Sequence, residues 1–270
     1  MLGISKFHSF RLLTREATRG MQFKLLKLLL GTTTLLFSTF FSQSASAQLY
    51  TWSQTDNNPK PMINSNEGVC FLTSIQGKFE GDKERVEVYR QNGQWFLGGN
   101  STQFGVSGQA NCVRWNQLLV NPYTVYGPYS LHQNQGKFRY LDGFSEGNGF
   151  CFLGGVSGKF HGSGEGVEVV LNSNREWILK VDSNQWGVSA SAYCIPTIYN
   201  YSNLRSQVTW TQNAPTFYLG SNYASCFLTG MRGKFQGAGE RVTVSNNFGE
   251  WYLGGASNQF GVAASARCYR

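Results

Sequence analysis

Charge is scarce in this chain. Only 14% of its 270 residues are Asp, Glu, Lys or Arg, and histidine occurs three times. A nucleic-acid partner requires a concentrated basic patch, and the distribution of charge argues against one. The formal net charge is +8, but six of the basic residues lie in positions 1–47 against one acid, Glu16. The remainder carries 17 basic and 14 acidic residues, an excess of +3 spread along the chain. No nucleic acid is therefore expected as a partner.

Catalytic and metal chemistry are equally poorly provided for. His132 and His161 are the only histidines after position 47, and neither belongs to a His-x-x-x-His or His-Glu-x-x-His set. Zinc favours closely spaced pairs such as Cys-x-x-Cys, and the six cysteines form none. No stretch beyond position 47 shows a 3.6-residue apolar stripe, so no helix is expected, and no Gly-x-Ser-x-Gly nucleophile elbow is expected either. No catalytic residue, cofactor or metal is assigned, and the expectation is that the protein is not an enzyme.

What is present is repetition. Cys70-Phe71-Leu72, Cys151-Phe152-Leu153 and Cys226-Phe227-Leu228 each open one copy of a single motif. Each copy runs through Gly-Lys-Phe, a Glu, Val-x-Val, a Trp, a Gln and Gly-Val to a second cysteine, Cys112, Cys194 or Cys268. The offsets are 42, 43 and 42 residues and use every cysteine. Self-similarity of this kind is the signature of repeat architecture. Three repeats are placed at 48–115, 116–197 and 198–270.

Residues 1–47 have the layout of a signal peptide. A basic start from Arg11 to Lys27 precedes an apolar run from Leu25 to Phe41, and Ala45-Ser46-Ala47 offers a cleavage site before Gln48. Met21 would begin a signal of ordinary length, so residues 1–20 read as an over-extended start. A membrane anchor is the rival for this run, which Lys27 and Thr32 to Thr34 interrupt; after cleavage no stable membrane insertion is expected. Evenly spaced cysteines behind such a segment indicate disulfides in an extracellular or periplasmic protein. Pairing within each copy gives three equivalent bonds; pairing between copies is the alternative that spacing leaves open. Closing a loop of about 40 residues stabilises a fold by roughly 4 kcal/mol in the chain-entropy model.

The period inside each copy is two. Val86 and Val88 flank Glu87, and Trp95 and Leu97 flank Phe96. This alternation predicts half-buried antiparallel strands over Cys70–Phe79, Arg85–Arg90, Gln94–Leu97 and Gly105–Cys112, with counterparts in the other copies. Asn92-Gly93 marks a hairpin turn, with Asn174-Arg175 and Phe248-Gly249 in its place elsewhere. Trp52-Ser53-Gln54 and Trp210-Thr211-Gln212 predict a further strand per copy, for which Tyr129-Ser130 is the nearest match in copy two. Pro122, Pro128, Pro196 and Pro215 are expected at turns. The fold class is all-β: three antiparallel repeats, each closed by one disulfide, either as tandem modules or as one pseudo-threefold body.

Three groups compete as functional residues. Glu84, Glu165 and Glu240 occur once per copy, whereas glycosidases need two carboxyls about 5–10 Å apart. They are expected to hold a turn or to pair with Lys78 or Arg85. Trp95, Trp177 and Trp251 are expected in the core. The strings Ser101-Thr102-Gln103-Phe104-Gly105, Ser183-Asn184-Gln185-Trp186-Gly187 and Ser257-Asn258-Gln259-Phe260-Gly261 combine an aromatic ring with neutral hydrogen bonders, as carbohydrate recognition does. Gln103, Phe104, Gln185, Trp186, Gln259 and Phe260 are thus the candidate ligand-binding residues; a plain turn with the ring tucked inside is the rival. The functional expectation is a secreted multivalent binder, lectin-like, for a glycan or cell-surface polymer. A structural envelope protein is the alternative, and a secreted polysaccharide hydrolase is disfavoured. Copy two departs from its sisters, with Leu179-Lys180-Val181 for Leu-Gly-Gly and Gly166 for Arg. It would be degenerate if a site depended on those residues.

Overall fold

The computed structural model describes residues 48–118, 120, 123–197 and 203–270. The targeting segment expected at 1–47 and the turn expected at Pro122 lie outside the described residues. The described residues belong to one compact unit. Among the described residues each repeat supplies six strands. Repeat one holds β1 (Gln48–Ser53), β2 (Lys60–Asn64), β3 (Gly68–Gln76), β4 (Arg85–Gln91), β5 (Gln94–Asn100) and β6 (Ser107–Arg114). Repeat two holds β7 (Tyr126–His132), β8 (Phe138–Ser145), β9 (Gly149–Ser157), β10 (Gly166–Leu171), β11 (Glu176–Asp182) and β12 (Ser189–Pro196). Repeat three holds β13 (Val208–Thr211), β14 (Phe217–Ser221), β15 (Ser225–Arg232), β16 (Arg241–Asn247), β17 (Glu250–Ala256) and β18 (Ala263–Tyr269).

The strands form three six-stranded antiparallel sheets, and no sheet belongs to one repeat. Sheet A runs β1-β6-β3-β16-β17-β14, sheet B runs β2-β5-β4-β9-β12-β7 and sheet C runs β13-β18-β15-β10-β11-β8. Each takes half its strands from one repeat and half from another, in cyclic order. The body is therefore pseudo-threefold rather than a string of modules. The disulfides form within copies: Cys70–Cys112, Cys151–Cys194 and Cys226–Cys268. Each joins directly paired residues, with Cα atoms 4.0, 4.0 and 3.9 Å apart.

The phenylalanine of each Cys-Phe-Leu string meets its two sisters in the common core. Phe71 lies 4.7 Å from both Phe152 and Phe227, ring centre to ring centre, and Phe152 lies 5.9 Å from Phe227. The phenylalanines of Gly-Lys-Phe make a second trio. Phe79, Phe160 and Phe235 meet edge to face at 5.9, 6.1 and 6.2 Å. Their backbones close a ring of hydrogen bonds. Phe79 N–H donates to Phe235 O at 2.7 Å, Phe235 N–H to Phe160 O at 2.8 Å, and Phe160 N–H to Phe79 O at 2.8 Å. This ring marks the pseudo-threefold axis. Trp95, Trp177 and Trp251 are buried as expected, and Trp95 and Trp177 donate their indole N–H to Gly68 O and Gly149 O at 3.1 and 3.0 Å.

Two sequence expectations need correction. The nearest match to Trp52 in copy two is not at Tyr129-Ser130 but two residues on. Trp52 pairs with Gly108, Trp210 with Ala264 and Leu131 with Ala190, so Leu131-His132-Gln133 is the counterpart. Pro128 and Pro196 lie within β7 and at the end of β12 rather than at turns.

The Leu131 register accounts for the loss of the second glycine of Gly-Gly in copy two. A Cβ at Gly99 would stand 2.7 Å from the Trp52 ring, and one at Gly255 would stand 2.6 Å from the Trp210 ring. Glycine there admits a tryptophan. In copy two the smaller Leu131 and Val181 hold the positions of the tryptophan and the glycine, and both are buried.

Candidate functional site

The three glutamine–aromatic strings lie together at one end of the axis. In each, a serine hydroxyl accepts the N–H of the glutamine two residues on. Ser101 takes Gln103, Ser183 takes Gln185 and Ser257 takes Gln259, all at 2.9 Å. Such side-chain turns fix a tight loop without a regular ladder. The following glycine completes it in the left-handed region, with φ of 78°, 78° and 76° at Gly105, Gly187 and Gly261.

The turns are tied to the axis. The N–H groups of Lys78, Lys159 and Lys234 donate to the carbonyls of Phe104, Trp186 and Phe260 at 3.4 Å, and each lysine precedes an axial phenylalanine. Each turn also packs against a loop of another repeat. A Cβ at Gly105 would stand 2.7 Å from Ala238, at Gly187 2.8 Å from Asp82 and at Gly261 2.7 Å from Ser163. Six loops thus alternate around one end of the molecule.

From this rim the rings project outward. Phe104, Trp186 and Phe260 are 82%, 81% and 79% exposed, which excludes the rival of a ring tucked inside. Gln103, Gln185 and Gln259 are half-buried beside them. The structure thereby brings all six candidate residues to a single crown.

The repeated glutamates are parts of the scaffold. Glu84, Glu165 and Glu240 are buried, and their backbone carbonyls accept from Gly158, Gly233 and Gly77 at 2.8, 2.8 and 2.9 Å. Their side chains cover Gly81, Gly162 and Gly237, where any Cβ would collide with Oε2. They do hold turns, but the ion pairs expected for Glu84 are made by others. Lys78 pairs with Glu80 at 2.9 Å and Arg85 with Glu87 at 3.2 Å. Oε2 of each of the three accepts no hydrogen bond. Glu87 faces outward on β4, where burial pushes its carboxyl above the usual carboxylate range and the Arg85 guanidinium acts against that.

His132 and His161 are exposed. The expectation of no Gly-x-Ser-x-Gly string is corrected by Gly143-Phe144-Ser145-Glu146-Gly147, which has the spacing of a nucleophile elbow. It lies instead at the end of β8 and in the turn that carries the chain from sheet C to β9 of sheet B, where Asn148 Oδ1 accepts the Ser145 N–H at 2.8 Å, and a strand rather than a helix follows. Among the described residues no group of three His, Cys, Asp or Glu is placed to hold a metal. Among them, too, no helix is long and apolar enough to cross a membrane.

A cleft of about 470 Å³ on the outer face of sheet C has no direct sign in the amino-acid order. Its lining includes Gly166 and Lys180, two of the departures that set copy two apart. No protein-family model matches the chain, and comparison with curated proteins and with solved structures finds no significant match.

Proposed function

We propose that this protein is a secreted, non-catalytic, multivalent binding protein, lectin-like, that contacts a glycan or cell-surface polymer through the crown of Phe104, Trp186 and Phe260. The observation that carries this reading is the matched exposure of those three rings, about four-fifths each, at equivalent places around one axis. A large apolar ring left in water on a disulfide-closed frame costs solubility and contributes nothing to folding, so its repetition argues for contact with a partner. A ring face stacks on the C–H face of a sugar, and the adjacent glutamine amides supply neutral hydrogen bonds. Three weak sites on one rigid end bind a repetitive polymer far better than a monomeric sugar, because the second and third contacts are intramolecular. Three intramolecular disulfides suit an oxidising compartment outside the cytosol.

The test is binding of the intact protein to immobilised polysaccharides and to a glycan array. Phe104→Ala alone should weaken polymer binding modestly. Phe104→Ala, Trp186→Ala and Phe260→Ala together should lower it by about 10²–10⁴-fold, the range of lost avidity. Unchanged polymer binding by the triple variant would reject the crown.

A further inference from the structure

The outer faces of the three sheets are built from corresponding positions, and sheet C differs from the other two at several of them. Register places Lys180 of β11 opposite Glu168, where sheets B and A set Gly98 opposite Glu87 and Gly254 opposite Thr243. Asp182 lies opposite Gly166, where the others have Asn100 opposite Arg85 and Ala256 opposite Arg241. On β11 a lysine thus stands in place of glycine and an aspartate in place of a neutral residue, while across the ladder a glycine stands in place of arginine.

The result is the cleft of about 470 Å³, within the range of small-molecule sites. Gly166, Gly230 and Ala263 add little side-chain bulk to its lining, which Lys180, Asp182 and Arg232 share. Arg232 Nη2 lies 3.8 Å from Asp182 Oδ2, a loose approach that leaves both groups able to engage a ligand. Glu168 is oriented more firmly: its Oε1 accepts from Gln207 Nε2 at 2.6 Å and from Ser265 Oγ at 3.1 Å. The lining therefore holds two cations and two carboxylates, with the hydroxyls of Thr209 and Thr211 beside them.

That balance defines a ligand. A polyanion would meet Asp182 and Glu168, and a polycation would meet Lys180 and Arg232. A neutral polyhydroxyl compound meets neither penalty, since adjacent hydroxyls can donate to a carboxylate while their oxygens accept from Lys or Arg. The direction of the cleft adds to this. Gly261 and Ser163 form part of its lining, and Gly261 directly follows Phe260 of the crown.

We infer that the outer face of sheet C binds a short run of neutral polysaccharide, held by Asp182, Glu168, Lys180 and Arg232 and extending toward the Phe260 ring. This rests on the glycan-binding reading but names a separate, single subsite and its ligand class. The experiment titrates neutral gluco- and manno-oligosaccharides of four to six units into the intact protein by calorimetry. Uronate oligomers of the same lengths form the anionic arm. At least one neutral series should bind, and Lys180→Gly with Asp182→Asn should weaken it at least tenfold. Those are the residues repeat one carries at the same places, so the frame has already accommodated them; an unchanged melting temperature checks this. Equal affinity in the double variant, preference for uronates, or no binding by either series would overturn the cleft. Polymer binding that needs the three crown rings but not Lys180 and Asp182 would overturn it while leaving the threefold reading in place.

Discussion

Repeat two and its sisters meet one packing requirement with different volumes. In repeats one and three a tryptophan lies over a glycine, Trp52 on Gly99 and Trp210 on Gly255. In repeat two Leu131 and Val181 occupy those positions, so the large residue shrinks as the small one grows. The outer face shows the same reciprocity in charge. Arg85 lies opposite Ser157 and Arg241 opposite Gln76, whereas Gly166 lies opposite Arg232, so the arginine has crossed to the neighbouring strand. Where a departure faces the core, a second one restores the volume. Where departures face solvent they need no such compensation, and they leave a cleft. The loss of Gly-Gly in copy two is therefore a change of packing inside and of surface chemistry outside, not decay.

This contrast can be probed from its strongest point outward. The axis should show no difference between repeats. Phe79→Ala, Phe160→Ala and Phe235→Ala should each cost about 3–5 kcal/mol in denaturant unfolding, the usual penalty for emptying a buried phenylalanine site. A spread wider than the cost of one such site would mean that the trio is not equivalent. Next, Gly99→Val places the residue of repeat two beneath Trp52 and against the Arg85 carbonyl, and should destabilise by about 3 kcal/mol. Adding Trp52→Leu should return part of that loss, with a coupling of about 1–2 kcal/mol in a double-mutant cycle. Strict additivity would break the proposed exchange of volume.

The smallest effect belongs to the outer face of sheet B. Burial raises the Glu87 carboxyl, so folding favours its protonated form and disfavours its charge at neutral pH. Glu87→Gln should raise the melting temperature by about 1–2 °C at pH 7. The gain should disappear as pH falls below the ordinary value of 4.5, where the carboxyl is protonated in folded and unfolded chains alike. A gain that persisted at acid pH would assign the effect to packing rather than charge.

Most of the fold inside one repeat was legible, because it is written in local alternation. Val86, Val88, Trp95 and Leu97 turn inward by the period of the strand, and the cysteines pair within the copy that contains them. The partner of a strand is not written there. Period two says which face Val86 shows to the core, but not that β4 leaves its own repeat to pair with β9. The strands β2, β8 and β14 escaped notice because they are outer strands of their sheets, with short or broken alternation such as Lys60-Pro61-Met62. The crown was readable as composition, a ring beside an amide in a serine turn, whereas its convergence on one axis required the hydrogen-bonded phenylalanines. The cleft is assembled from five strands of two repeats, so its trace in the sequence was only the irregularity of copy two.

The exchange of strands has an evolutionary corollary. A polypeptide one third as long would end each half-sheet in unpaired backbone, and only two further molecules of its kind could complete it. The chain is thus built as a covalently linked trimer of similar units. Linkage frees assembly from protein concentration, and it lets each third accumulate its own substitutions, a freedom that identical subunits lack.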